Sequence, residues 1–287
     1  RLALLATLGI FGIAFGLAAI TMGRDNFWID ELSSLYFSDP GKPFRTLALT
    51  IWPTESNPPL YYLYLYLWRL LVPQVSEISI RAASLIPAAL ACLSPLVYPS
   101  RLMAYDRRIA VTLLLSCSYG MLYYATEARG YSLLLLFSVN AAFLFLAAMQ
   151  SLRSGVGNLR VRLALLGLVL VFAAWTHFFG ILLAASYLGV LLLAALILRR
   201  HVVLIGAIAL LTGALAVLWP VMQLGYLREI ATGYWFDGFS WSYVVGEAKS
   251  LAFMLFAYKW SVILITGLTS LSLIATVGRR VSNKEPL

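Results

Sequence analysis

The stretch PLYYLYLYLWRLLVP (residues 59–73) decides how this chain sits in its surroundings. It is one of nine apolar runs, at 2–22, 59–73, 80–99, 109–125, 131–150, 163–176, 178–198, 202–222 and 251–278. A membrane span needs about 20 apolar residues, because the hydrocarbon core is roughly 30 Å thick and a helix rises about 1.5 Å per residue. If all nine runs cross, the basic loops fall on both sides of the bilayer. If 59–73 stays out, the loops sort cleanly. Those at 101–108 (Arg101, Arg107, Arg108), 151–162 (Arg153, Arg160, Arg162), 199–201 (Arg199, Arg200) and 279–285 (Arg279, Arg280, Lys284) then share one face with Arg1. The positive-inside rule makes that face cytoplasmic. The same choice sorts the acids: of twelve Asp and Glu, only Asp106 and Glu285 lie inside.

The run supports its own exclusion. It is short, opens with Pro58-Pro59, and carries Tyr61, Tyr62, Tyr64, Tyr66 and Trp68. As a helix it places Tyr61, Tyr64, Leu65 and Trp68 on one face and Tyr62, Tyr66 and Arg69 on another. Aromatic rings with a polar tip favour the headgroup level, which predicts a helix lying in the outer interface.

Composition agrees with lipid as the solvent. Of 287 residues 62% are hydrophobic and 11% are charged, less than half the charged share of a soluble domain. Disordered, fibrous and disulfide-scaffold classes are excluded. Cys92 and Cys117 lie in apolar runs and read as small core residues, not as a disulfide or metal site. The formal charge of +9 is dispersed between apolar runs, so it reports orientation in the membrane and not nucleic-acid binding. Residues 2–22 are too long for a signal peptide and lack its cleavage context. The chain opens on Arg1 with no preceding Met, which reads as part of a longer protein.

The expected fold is therefore an all-α polytopic membrane protein. One domain over 1–287 has about eight spans and both ends inside. Interfacial helices, one over 31–38, lie in a long outer loop from 24 to 80. A second outer loop holds 126–130, a tight turn centres on His177, and a third outer loop at 223–250 contains GYWFDGFSWSY.

Charges at the boundary of such a bundle point to function. Asp30, Glu31, Glu55, Asn57, Arg81, Glu127, Arg129 and His177 all fall at the outer face on this topology. Each also has a plain structural reading. Asp30 and Glu31 suit the positive end of a helix. Glu55 reads as a solvated loop acid, and Arg81 as a snorkelling side chain. Glu127 and Arg129 are two apart and share no helical face, which weakens a local ion pair. His177 reads as the cap of a turn. Together they fit one chemistry. A carboxylate takes a proton from an acceptor hydroxyl, arginines and a histidine hold a phosphate, and an aromatic shelf holds a lipid tail or a sugar. There is no P-loop, dinucleotide fingerprint, HExxH or Gly-x-Ser-x-Gly. Glu55, Glu127 and His177 are candidate ligands for a divalent metal, but no spacing demands one and none is assigned.

An acidic pair after the first span, NPPLYY (57–62), an arginine opening the next span, SRLMAYDRR (100–108), YYATEARGYSL (123–133) and WTHFFG (175–180) occur in that order. The set resembles the polytopic glycosyltransferases of the GT-C class, family 39 and its relatives, which include protein O-mannosyltransferases and lipid A aminoarabinose transferases. The likeness is good over about 1–180 and topological beyond. It implies a sugar donor on a polyprenyl phosphate, used on the outer face of the plasma or inner membrane. Transfer goes with inversion to a lipid, glycan or protein acceptor, and no cofactor is implied. It also implies Asp30 as general base and Glu31 as its usual neighbour. Glu127 would position acceptor or sugar, and His177 would stand where relatives place a phosphate-contacting lysine. Asn57 departs from the family's His or Lys, so Arg81 or Arg129 would supply the positive charge, with Tyr61 at the substrate. Such proteins commonly continue with further spans or an outer domain. Either this is a short member or its remainder lies beyond Leu287. A second reading is a transporter or flippase for a lipid-linked sugar, which predicts paired halves and Gly- or Pro-broken helices near the midplane. A third, a purely structural membrane subunit, leaves the acids unexplained.

Overall fold

The computed structural model describes residues 2–55, 57–99, 102–223 and 245–246. The last apolar run, 251–278, and most of the outer loop expected at 223–250 lie outside the described residues. Every element among the described residues is helical: α1 (Leu2–Thr21), α2 (Ile29–Phe37), α3 (Phe44–Thr46), α4 (Leu60–Leu71), α5 (Glu77–Val97), α6 (Tyr105–Ser116), α7 (Tyr119–Ala125), α8 (Tyr131–Ser154), α9 (Leu159–Thr176), α10 (Phe179–Leu198) and α11 (Val202–Met222). A π turn at Leu47–Ile51 and a 3-10 turn at Trp52–Thr54 continue α3. Among the described residues, six helices are long and apolar enough to cross a bilayer: α1, α5, α8, α9, α10 and α11. The chain is an integral, multi-pass membrane protein.

Except for α5, these helices show little amphipathic stripe because most of each faces outward. Leu5, Ile13, Leu17 and Ile20 of α1 are exposed, as are Val203, Leu210 and Leu211 of α11. A helix apolar all round suits lipid. One buried core joins α8, α9, α10 and α11 through Leu152, Leu163, Leu166, Leu170, Leu191 and Ile205. A second, of Phe15, Ala88, Cys92, Met121 and Ala125, joins α1, α5 and α7. Cys92 and Cys117 are free, and Cys92 is buried in this second core.

The run 109–125 differs from expectation. It is split into α6 and α7 at Cys117 and Ser118, with Ser118 extended (φ −70°, ψ 124°). The Ser116 hydroxyl donates back to the Thr112 carbonyl at 2.7 Å, a bond that competes with helix continuation and bends it. The loop expected at 151–162 is also largely helical. α8 runs to Ser154 and ends on Gly155 in the left-handed region (φ 71°), and α9 starts at Leu159, capped by the Asn158 side chain. Arg162 folds back onto the α8 end, donating to the Ala147 carbonyl and to Ser151 Oγ.

The α9–α10 turn depends on Gly180. A Cβ there would overlap the backbone of Ala173 and Ala174, which cannot retreat without opening α9. Gly180→Ala is expected to destabilise by about 1–3 kcal/mol or more, as overpacking does. A lowered thermal midpoint in detergent checks this. Gly189→Ala in the same helix meets open space and serves as the control.

The deciding stretch forms α4, whose twelve residues span about 18 Å, short of the roughly 30 Å hydrocarbon core. Both of its sequence-read faces are in use. Tyr61, Tyr64 and Trp68 face α5: the Tyr61 hydroxyl meets Ser84 Oγ at 3.1 Å, and Tyr64 donates to the Ala83 carbonyl at 2.8 Å. Trp68 Nε1 donates to the Ser79 carbonyl at 2.8 Å. The Ala83 carbonyl is available because its partner four residues on is Pro87, which has no N–H. On the other face Tyr62 packs on Phe37, Tyr66 on Phe44, and Arg69 donates to the Leu35 carbonyl at 2.7 Å. The polar tips expected to seek headgroups are thus bound by protein. The helix is sandwiched between α5 and α2, so partners within the fold are nearer than lipid.

Candidate functional site

Glu31 is the hub. Its neighbour Trp28 precedes α2, and the Trp28 N–H points at Glu31 Oε2 (3.4 Å), the geometry of an acid in the first helical turn. One residue is about 100° of helix, so Asp30 and Glu31 face different ways. Glu31 turns inward and is 0% exposed; the Asp30 side chain is 40% exposed. Inside, Arg81 meets Glu31 in a fork, Nε to Oε1 at 2.8 Å and Nη2 to Oε2 at 2.6 Å. Glu31 Oε1 also accepts the Ala128 N–H at 2.8 Å.

Arg81 is 6% exposed and its donors are fully engaged. Besides Glu31 it reaches the carbonyls of Met22 (2.5 Å), Asp25 (2.8 Å) and Asn26 (3.2 Å). A guanidinium has five N–H groups, and these contacts occupy all of them. Arg81 therefore has none left for a phosphate. It ties the end of α1 to α5, while Glu31 ties α2 to the α7–α8 connection.

That tether sets up its neighbours. Glu127-Ala128-Arg129 is held by its middle residue, and the two charged side chains diverge. Glu127 lines a cavity of about 290 Å³ with Asp25, Asn26, Trp28, Arg81 and Tyr123. Burial pushes the Glu127 carboxyl above the usual carboxylate range; the Tyr123 hydroxyl opposes this and the Glu31 charge adds to it. Arg129 turns the other way. Its Nη2 lies 3.4 Å from Asp30 Oδ2 and its Nη1 donates to the Asp30 carbonyl at 3.3 Å. The rings of Trp28 and Tyr131 lie 5.9 Å from the guanidinium. The local Glu127–Arg129 pair is not formed, as the two-residue spacing predicts.

Arg129 also lines a tight cleft of about 10 Å³ with Asn57, Tyr61, Tyr62, Tyr131 and His177. Gly130 permits this closeness, since a Cβ there would come within 3.3 Å of Thr176. Asn57 is held through its backbone N–H (3.2 Å) and Nδ2 (3.1 Å), both donating to Glu55 Oε1. Glu55 is thus a brace for the cleft and not a solvated loop acid; its backbone carbonyl accepts from Gln223 Nε2, which ties α11 to this end. His177 follows the last turn of α9, and its Nδ1 accepts the Phe179 N–H at 3.2 Å. The capping reading is realised, and the remaining ring proton belongs on Nε2. Burial, then the Arg129 charge, push the His177 pKa down to about 4. The imidazole is therefore neutral at pH 7 and a hydrogen-bond donor, not a cation.

The sign of the resulting pH dependence is set. The unfolded chain binds a proton at His177 near pH 6.5 and the folded chain only near 4. Its contribution to stability is complete above pH 6.5 and is lost as pH falls from 6.5 to 4. The chemical shifts of isotope-labelled His177 are expected to stay those of the neutral ring at pH 5.5. His201, the other histidine, gives the comparison signal.

The structure thus joins Asp30 to Arg129, and gathers Asn57, Tyr61, Arg129 and His177 around one cleft. Glu127 lies beside a separate cavity that Arg81 also lines. Sequence reasoning missed Trp28 as a wall of the larger cavity, Tyr131 in the cleft, and the Ala128 N–H. Tyr123 and Tyr131 sit within YYATEARGYSL, so their proximity to the charges was legible; a backbone N–H carries no sequence signal. Among the described residues no three His, Cys, Asp or Glu side chains are grouped to hold a metal ion. Comparison with known protein families, curated proteins and solved structures finds no match to this chain.

Proposed function

We propose that the chain is an inverting membrane glycosyltransferase, moving a sugar from a polyprenyl-phosphate donor to an acceptor hydroxyl at the outer face. The observation that carries this reading is the meeting of a helix start and two connections. Asp30 in the first turn of α2, Arg129 between α7 and α8, and His177 between α9 and α10 come together at one end of an apolar bundle. The ordered motifs that resemble the GT-C class support it. In the same reading α6 and α7 form one interrupted span, since both pack on α1 and α5. With the run 251–278 this makes eight spans, and α2 and α4 lie at the outer interface with both chain ends cytoplasmic.

Asp30 accepts the acceptor hydroxyl proton while that oxygen attacks C1. The bond from C1 to the phosphate oxygen breaks and its electrons leave with the polyprenyl phosphate. Arg129 and the Nε2–H of His177 hold the departing phosphate. A phosphate is a good leaving group, so no general acid is needed, and one base on one side of C1 suits inversion. Glu127 faces the larger cavity and positions the acceptor or the sugar. Glu31 and Arg81 hold the frame.

The test is transfer of a labelled sugar from a polyprenyl-phosphate donor in reconstituted membranes, with product anomer determined. Retained activity in Asp30→Asn sinks the assignment of the base. Donor translocation without glycosylated product favours the transporter reading instead. Against that reading, α5 runs unbroken from Glu77 to Val97 through both Pro87 and Pro95.

A further inference from the structure

Among the described residues, the lining of the cleft at Arg129 includes no carboxylate; Glu55 stands behind it, holding Asn57 and the Tyr62 hydroxyl. The lining includes the Arg129 guanidinium, the Asn57 amide, the His177 ring and Tyr131. Such a set of donors around one cation recognises an oxyanion, and a planar fork favours phosphate. Yet about 10 Å³ admits roughly one water and no phosphate. The cation itself is engaged elsewhere, on Asp30.

That engagement is loose. Charge-assisted N–H···O bonds run about 2.7–2.9 Å, whereas Arg129 meets Asp30 Oδ2 at 3.4 Å and the Asp30 carbonyl at 3.3 Å. The two members differ in reach. Asp30 precedes Glu31, which is locked to Arg81 and Ala128, so the backbone at Asp30 is held by its neighbour and its short side chain stays close to it. The Arg129 side chain swings on four torsions from a backbone held at Ala128.

We propose that the Asp30–Arg129 ion pair is a latch opened by phosphate exchange: a phosphate entering the cleft draws Arg129 off Asp30, and the freed carboxylate becomes the base. This deepens the transferase reading and rests on it for the role of Asp30. The donor must then bind before the acceptor can react, and departure of the polyprenyl phosphate re-pairs Asp30.

The experiment measures binding, not turnover, on the full chain in lipid nanodiscs. Probes are polyprenyl monophosphate, inorganic phosphate and polyprenol without phosphate. In Asp30→Asn, Arg129 loses its competing anion, so polyprenyl monophosphate is expected to bind about fivefold tighter, the range of one exposed ion pair. Polyprenol binding stays unchanged, and Arg129→Gln abolishes the gain. A parallel gain with inorganic phosphate shows that the phosphate group alone opens the latch. A gain confined to the lipid shows that the chain is needed to deliver it. The latch is overturned if Asp30→Asn binds polyprenyl monophosphate equally or more weakly, or if the wild-type chain binds no phosphate probe. The two ideas fail separately. A wild-type chain that transfers sugar with no affinity gain in Asp30→Asn retires the latch and keeps the transferase. An affinity gain in a chain without transferase activity does the reverse. Unchanged thermal midpoints show that both variants are folded.

Discussion

Glu31→Gln is expected to destabilise the folded chain by about 3–5 kcal/mol, the cost of stripping one partner from a buried ion pair. That is a large share of the roughly 5–15 kcal/mol that holds a typical domain. The carboxamide keeps the size of the side chain but removes its charge. It leaves the buried Arg81 cation hydrogen-bonded only to neutral groups, and turns an NH₂ group toward either Arg81 or the Ala128 N–H. The thermal midpoint in detergent is the readout. Arg81→Met is expected to cost as much, because Glu31 and the carbonyls of Met22, Asp25 and Asn26 lose their donor together. The paired change to Glu31→Met and Arg81→Met separates two explanations. An ordinary buried pair is replaced by apolar side chains at little cost. Here the Ala128 N–H and three carbonyls would remain without partners, each costing about 1–3 kcal/mol where buried. The double variant should therefore stay unstable. Full recovery would mean that the pair is no tether.

Asp30→Asn is expected to lower sugar transfer by about 10²–10⁴-fold, the usual contribution of a positioned base. Stability should change by no more than about 1 kcal/mol, since the side chain is part-exposed and its ion pair is long. Asp30→Glu keeps a carboxylate, displaced by one methylene, and should recover part of the rate. The neighbours are thus distinguished by which property fails first. At position 30 activity is lost and the fold remains; at position 31 both decline together. Equal thermal loss in the two variants would contradict the division of labour drawn from their opposite facing.

The two faces of 59–73 were legible because helical spacing alone brings Tyr61, Tyr64 and Trp68 to one side and Tyr62, Tyr66 and Arg69 to the other. What they meet was not. The sequence reading sent the polar tips to lipid headgroups, and the fold supplies Ser84, Ala83 and Ser79 instead. Proline made one of these sites, by freeing the Ala83 carbonyl. The same limit applies at the site. His177 as a turn cap was legible from its place between two apolar runs. Its neutral state was not, since that follows from burial and from an arginine 48 positions earlier in the chain.

The sequence by itself determined a membrane solvent and the position of the six helices long and apolar enough to cross it among the described residues. Apolar run length and helical period are properties of neighbouring residues, and the bilayer reads them directly. Only the tertiary structure decided what each acid does. Asp30 and Glu31 are adjacent and chemically alike, so no local rule separates them. Glu31 became the buried member because Arg81, fifty residues on, and Ala128, ninety-seven on, converge where its side chain points. Charge pairing across such separations depends on where backbones pass in space, and that is settled by packing, not by pattern.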